Sequence, residues 1–257
     1  MDKKTFLGLF KENDEHTISK LWEDIELVCD IEVPIFTGEF YPPVVWNYLQ
    51  KNNINGVKFI CRGLNEEAEK RNIMIAPKNY DVEGMIFPLV YFKIDGQNKF
   101  KELQHKDFLG TIMGIGIKRE LLGDLIVKNS ICFGVIIEEK YGIIESKIEK
   151  IGKVPVKVGR IDFHEVPQSE FKCETVLVSS LRLDSLVSAV TGLSRQKSVE
   201  ELEKGNILLN YNSVKDKSAE IKEGDTLTIK KVGKFRFEET VGESRKNKIR
   251  IKIKKFI

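Results

Sequence analysis

The stretch LRLDSLVSAVTGLSRQKSVEELEKGNILLN, Leu181 to Asn210, decides how this 257-residue chain is read. Leu183, Leu186, Val187 and Val190 recur at i, i+3, i+4 and i+7, one apolar stripe that predicts a helix, and Gly192 closes it. Ser194 is placed to cap a second helix, whose first turn carries Arg195, Gln196 and Lys197. Unpaired backbone N–H groups and the positive end of the helix dipole favour a phosphate there, and the basic side chains add to that preference. Gly205 ends the helix and Ile207 to Leu209 reads as a strand. Further on, Leu227 and Ile229 alternate with Thr226, Thr228 and Lys230 in the period of a half-buried strand.

Arg182-Leu183-Asp184, Ser194-Arg195, Gly205, Asn210 and Gly224-Asp225, in that order, resemble the alpha-L RNA-binding motif. That small domain is shared by the fourth small-subunit ribosomal protein, tyrosyl-tRNA synthetases, many pseudouridine synthases and a heat-shock ribosome-binding protein. One position departs from the pattern. Many members have glycine after the asparagine, whereas this chain has Tyr211, so a wider turn is expected there. The resemblance implies RNA binding through Arg182, Arg195, Gln196, Lys197 and Lys204, joined by Lys230, Lys234 and Arg236 from the strands that follow.

Charge is distributed unevenly. The whole chain carries +3, but residues 178–257 hold 18 Lys and Arg against 11 Asp and Glu, a balance of +7 that leaves −4 for the first 177. From Thr226 onward Lys230, Lys231, Lys234, Arg236, Arg245, Lys246, Lys248, Arg250, Lys252, Lys254 and Lys255 oppose Glu238, Glu239 and Glu243. Such an excess suits a salt-sensitive phosphate footprint. In the tail KIRIKIKKFI the isoleucines alternate with basic residues, which predicts a strand with one basic face. The same alternation fits an edge strand blunted by charge.

Apolar residues make up 41% of the chain and charged residues 32%, the balance of a protein with two or three cores and no membrane span. The start, MDKKTFLGLFKENDEH, lacks the long apolar region of a secretory signal, so a cytoplasmic location is expected. Cys29, Cys61, Cys132 and Cys173 are widely spaced among apolar neighbours and read as buried thiols; His16, His105 and His164 are scattered. No metal site and no cofactor is expected from that spacing.

In the first part, Ile18, Leu21, Trp22, Ile25 and Val28 share one helical face, and Val44 to Leu49 starts a helix after Pro42-Pro43. Val57 to Cys61 reads as a strand. Asn65 followed by Glu66, Glu67 and Glu69 predicts a capped helix running to about Asn72. From Glu83 to Ile161 the order reads strand, helix, strand, strand, helix, strand, a ferredoxin-like arrangement. An RNA-recognition domain stacks bases on aromatics of its central strands, and the third strand offers Phe133 alone. His105, Lys106, Lys118 and Arg119 flank the glycine-broken segment between them. They suit a second RNA contact, and equally suit exposed loops around a core helix.

HKDFLGTIMGIGIKRELLGDLIV, GVKFICRGLNEEAEKR and the terminal alpha-L motif together make the chain similar to the YlmH family of bacterial proteins. The resemblance implies an α+β protein: an amino-terminal α/β domain over 1–77, a central ferredoxin-like, RNA-recognition-like domain over 78–165, and an alpha-L RNA-binding domain with a basic tail over 178–257. It further implies a monomer that binds the ribosome, with large-subunit ribosomal RNA and tRNA as partners and no membrane. Family members act in ribosome-associated quality control, holding peptidyl-tRNA on a split large subunit during alanine tailing, and are encoded near cell-division genes. Two other readings stand beside it. One is an RNA-modifying enzyme such as a pseudouridine synthase, whose catalytic aspartate has an Arg-Leu-Asp context like Asp184; the other is a scaffold for another RNA or cell-division complex. Against catalysis, the triplet opens the alpha-L domain itself and too little chain follows it for a synthase domain.

Overall fold

The computed structural model describes residues 1–11, 13–97, 102–214, 216–244 and 248–256. They form two compact units, Met1–Gln168 and Ser169–Ile257. The fold is α+β, as expected.

The first unit begins with α1 (Lys3–Leu9), α2 (Glu15–Ile31), β1 (Ile35–Tyr41), α3 (Pro43–Lys51), β2 (Val57–Arg62) and β3 (Arg71–Pro77). Asp14 caps α2 by accepting from Thr17 N at 2.8 Å, and the predicted face of Ile18, Leu21, Trp22, Ile25 and Val28 is buried. It packs with Phe6, Tyr41, Leu49, Ile73 and Ile75 over an antiparallel sheet in the order β1-β3-β2. The helix expected from Asn65 to Asn72 is not formed. Asn65 Oδ1 accepts from Glu67 N at 3.0 Å in a turn, and the N–H groups of Glu69 and Lys70 donate to the Asp124 carboxylate at 2.6 and 3.1 Å. Asn72 already lies within β3, the central strand, buried from Asn72 to Ala76. The acidic cap signal is local, and burial of this strand between two partners outweighs it.

The next segment contains β4 (Leu89–Asp95), α4 (His105–Gly114), β5 (Leu122–Lys128), β6 (Ile131–Ile137), α5 (Glu138–Lys147), a short ribbon of β7 (Lys150–Ile151) with β8 (Val154–Pro155), and β9 (Lys157–Ile161). Its four-stranded sheet runs β5-β6-β4-β9 with every pair antiparallel, the ferredoxin-like order. Phe92, Ile94, Leu122 and Ile136 meet Phe108, Ile112, Tyr141 and Ile144 of the two helices on one face. The opposite face is also closed. Leu89, Tyr91, Ile126, Val135 and Ile137 pack with Phe40, Leu64, Ala68 and Val166, and the Tyr91 hydroxyl donates to Gly63 O at 3.1 Å.

The second unit contains β10 (Phe171–Val178), α6 (Leu183–Thr191), α7 (Arg195–Glu203), β11 (Ile207–Leu209), β12 (Asn212–Ser213), β13 (Thr226–Ile229), β14 (Gly233–Glu243) and β15 (Ile249–Phe256). One antiparallel sheet orders them β10-β15-β14-β13-β11-β12. The tail is therefore an interior strand, and the blunted-edge reading of its alternation is excluded. Ile251 and Ile253 are buried with Phe235, Phe237, Leu227 and Ile229 beneath Leu183, Leu186, Val187 and Leu202 of the helices. Gly192 ends α6 at φ 71°, and Ser194 Oγ accepts from Lys197 N at 3.3 Å to start α7, both as predicted.

Two further expectations are corrected. The turn at Tyr211 is tight rather than wide: Leu209 pairs with Asn212, and Asn210 and Tyr211 adopt φ of 49° and 67°. That is a two-residue hairpin turn with both residues left-handed, a conformation asparagine tolerates and tyrosine resists. The cysteines are free, but Cys132 alone is buried; Cys61 is half-buried and Cys29 and Cys173 are exposed. Apolar sequence neighbours do not reveal which face of a helix or strand a residue occupies.

Candidate nucleic-acid interface

Asp184 organises one end of the second unit. Its side chain is 7% exposed, and its two oxygens accept from Arg182 Nε and Nη2, each at 3.2 Å. Arg195 Nε lies 3.9 Å from the second oxygen, and Arg195 Nη2 donates to Ser179 Oγ at 3.0 Å. A carboxylate held between two guanidiniums sets both planes without closing either off, since the arginine side chains remain 42% and 55% exposed. Arginine's planar fork suits bidentate phosphate contact. Arg195 is also the first residue of α7, with exposed Gln196 and Lys197 following, so these side chains surround a helix N-terminus.

Other predicted residues lie elsewhere. Lys204 is at the C-terminal end of α7, paired with Glu201 at 2.8 Å, whose hydrogen bond holds the ammonium above its usual range. Nine residues of helix put it about 13 Å from Arg195. Lys230 is exposed where β13 turns into β14. Lys234 and Arg236 alternate with buried Phe235 and Phe237 along β14, on the sheet face away from α6 and α7. Arg250, Lys252 and Lys254 share that face on β15; Lys252 pairs with Glu239 at 3.0 Å and Lys254 with Glu238 at 2.9 Å. Arg245 and Lys246 fall outside the described residues.

Two half-buried motif residues, Asn210 and Asp225, have structural work. Asn210 Nδ2 donates to Asp225 Oδ1 at 2.7 Å, Asn210 Oδ1 accepts from Thr226 N at 2.9 Å, and Asp225 Oδ2 accepts from Lys222 N at 2.7 Å. These bonds tie the hairpin turn to the start of β13.

In the first unit, His105 and Lys106 are exposed at the N-terminus of α4, while Lys118 and Arg119 follow its other end, about 15 Å of helix away. The four are not brought together. Arg119 Nη1 donates to Leu122 O at 2.7 Å and Gly123 O at 3.0 Å, and burial lowers its pKa. Lys118 and Arg119 line a cleft of mixed charge with Asp14, His16, Glu39 and Lys70. Burial and the neighbouring Arg119 push the Lys70 ammonium down to about 8. That cleft, formed by segments far apart in sequence, had no signal in composition or spacing. Among the described residues no group of three or more His, Cys, Asp or Glu converges as a metal site would require, and no helix is long and apolar enough to cross a membrane.

The first unit holds a ferredoxin-like domain, and the second sets a helix pair against a sheet whose opposite face is basic. Residues 83–165 match the family described as "Putative RNA-binding domain in YlmH". The chain is 28% identical over 188 residues to the "Ribosome-associated protein quality control protein P2" of Bacillus subtilis (strain 168), covering 72% of this chain and 73% of that protein. Among solved structures, "Cell division protein ylmH from Streptococcus pneumoniae" is 25% identical with a TM-score of 0.47, covering 60% of this chain and 94% of that one. The resemblance to the YlmH family read from the sequence is borne out by the domain match and the curated relative.

Proposed function

We propose that this chain is an RNA-binding protein without chemistry of its own, which binds the large ribosomal subunit and stabilises peptidyl-tRNA while alanine tails are added to stalled chains. In this reading it works as a cytoplasmic monomer, and residues 169–257 touch ribosomal RNA and tRNA with opposite faces. The observation that carries the reading is the pair of guanidiniums, Arg182 and Arg195, held by Asp184 beside the N-terminus of α7. A second basic surface lies across the sheet, at Lys234, Arg236 and Lys254. The relative's name supplies the setting of ribosome-associated quality control. Two linked contacts raise each other's effective concentration, so weak faces together hold two RNAs.

The geometry of Asp184 favours binding over base modification. A catalytic aspartate must present its carboxylate to the reacting base, whereas this residue is 5% exposed and directs both oxygens at arginines. Cosedimentation of the full chain with purified large subunits, empty or carrying tRNA, tests the proposal. Arg195→Glu with Lys197→Glu should abolish binding to both, and Arg236→Gln with Lys254→Gln should weaken the tRNA-loaded complex more than the empty one. Undiminished binding by the first variant would refute the assignment.

A further inference from the structure

We propose that the open face of the second unit's sheet is a stacking platform for unpaired RNA bases, with Phe171 and Phe256 as its rings. This rests on the RNA-binding reading above and gives the second surface its chemistry.

Register brings the residues together. Phe171 of β10 pairs with Phe256 of β15, and their rings meet edge to face at 5.9 Å between centroids. Cys173, Lys254 and Arg236 form the adjacent row, since Cys173 pairs with Lys254 and Lys254 with Arg236. Cations lie over the rings: Lys234 Nζ is 4.1 Å from the Phe256 centroid, the Arg236 guanidinium 5.3 Å, and Lys254 Nζ 4.9 Å from the Phe171 centroid. Phe171 is 37% exposed, so part of its ring is open to solvent. The opposite side of the same strands is filled by Phe235, Phe237, Ile251 and Ile253 beneath the helices. The rings stand at the end of the sheet among three cations, and that combination selects a polyanion with aromatic faces of its own.

Single-stranded RNA fits that demand better than a duplex. A paired base keeps both faces inside its own stack, whereas an unpaired base can lie on a ring while its phosphates reach cations spaced along the strands. Lys254 and Lys252 already have Glu238 and Glu239 as partners, which tempers the charge and leaves stacking a larger share of the affinity. Among the described residues, the first turn of α7 carries Arg195, Gln196 and Lys197 and no aromatic ring. The two faces therefore recognise different RNA: phosphates at the helices, base faces on the strands.

The test uses the full chain and a short oligoadenylate with one 2-aminopurine, whose fluorescence falls when it stacks, compared with the duplex that oligoadenylate forms with oligouridylate. Wild-type protein should quench the probe. Phe171→Leu with Phe256→Leu should weaken single-strand binding about tenfold, equivalent to about 1.4 kcal/mol. Quenching should be lost, with the salt slope and duplex affinity unchanged. Phe256→Tyr, which keeps a ring, should retain quenching and separates stacking from loss of folding. Arg195→Glu with Lys197→Glu should leave the quenching intact, so failure of the helix-face reading and failure of this one are distinguishable. Retained quenching in the leucine double variant, or a parallel loss of duplex affinity, would overturn the platform. So would polyglutamate binding as tightly as the oligonucleotide with the same dependence on both rings, because the partner would then be an acidic polypeptide.

Discussion

Arg182 and Asp184 are two residues apart at the start of a helix and meet through a pair of 3.2 Å hydrogen bonds, with the aspartate buried and the arginine open to solvent. The acid thus serves the base. Its burial is tolerated because two guanidiniums face it, and their orientation is tolerated because the acid is fixed within the helix.

Replacing Asp184 distinguishes positioning from simple charge. Asp184→Ala removes a negative charge from a phosphate-binding face, so electrostatics alone predicts tighter RNA binding. We expect weaker binding, by roughly tenfold or about 1.4 kcal/mol, because Arg182 and Arg195 lose their common anchor. Filter binding at matched salt checks this, and tighter binding would leave Asp184 without a positioning role.

Lys197 is exposed at the first turn of α7, and its own N–H bonds to Ser194 do not require its side chain. Lys197→Gln should leave thermal stability unchanged and lower the slope of log affinity against log salt by about one. An unchanged slope would place Lys197 outside the phosphate contacts.

Asn210→Ala removes the bonds to Asp225 and Thr226 and leaves a non-glycine residue without a polar side chain at φ 49°. A loss of about 2 kcal/mol is expected from urea unfolding of the full chain, followed by a probe in the second unit. Tyr211→Gly should act in the opposite direction, because glycine accepts φ 67° without steric cost.

Asp24 provides a pH test. Burial pushes its carboxyl up to about 6; Lys20 opposes the shift, and Glu39 and Glu23 reinforce it. A raised carboxyl pKa means that the folded state holds the proton more tightly than the unfolded state. Its contribution is fully present below the ordinary value of 3.8 and lost as pH rises through about 6. Asp24→Asn should therefore raise the melting temperature near neutral pH and make little difference below about pH 4. Equal effects at both ends of that range would rule out this ionisation as the cause.

Much of the second unit was legible in the sequence because its signals are local. The stripe from Leu183 to Val190, the cap at Ser194, the left-handed glycines and the alternating isoleucines of the tail each specify a backbone state through residues within one or two turns. The ferredoxin-like order was legible for the same reason. Tertiary structure decided what local chemistry cannot encode. Asn65 to Asn72 carries a helix signal, yet burial of β3 between two strands and the Asp124 carboxylate at Glu69 and Lys70 impose a turn and a strand. Phe133 is the aromatic that the third strand offers for stacking, but Phe40, Leu64 and Ala68 close much of that sheet face through contacts distant in sequence. The basic residues were readable as a group; only strand register separates Arg195 at the helices from Lys234 and Arg236 on the opposite face. Propensity and capping act over a few residues, whereas burial and register are set by the whole chain at once.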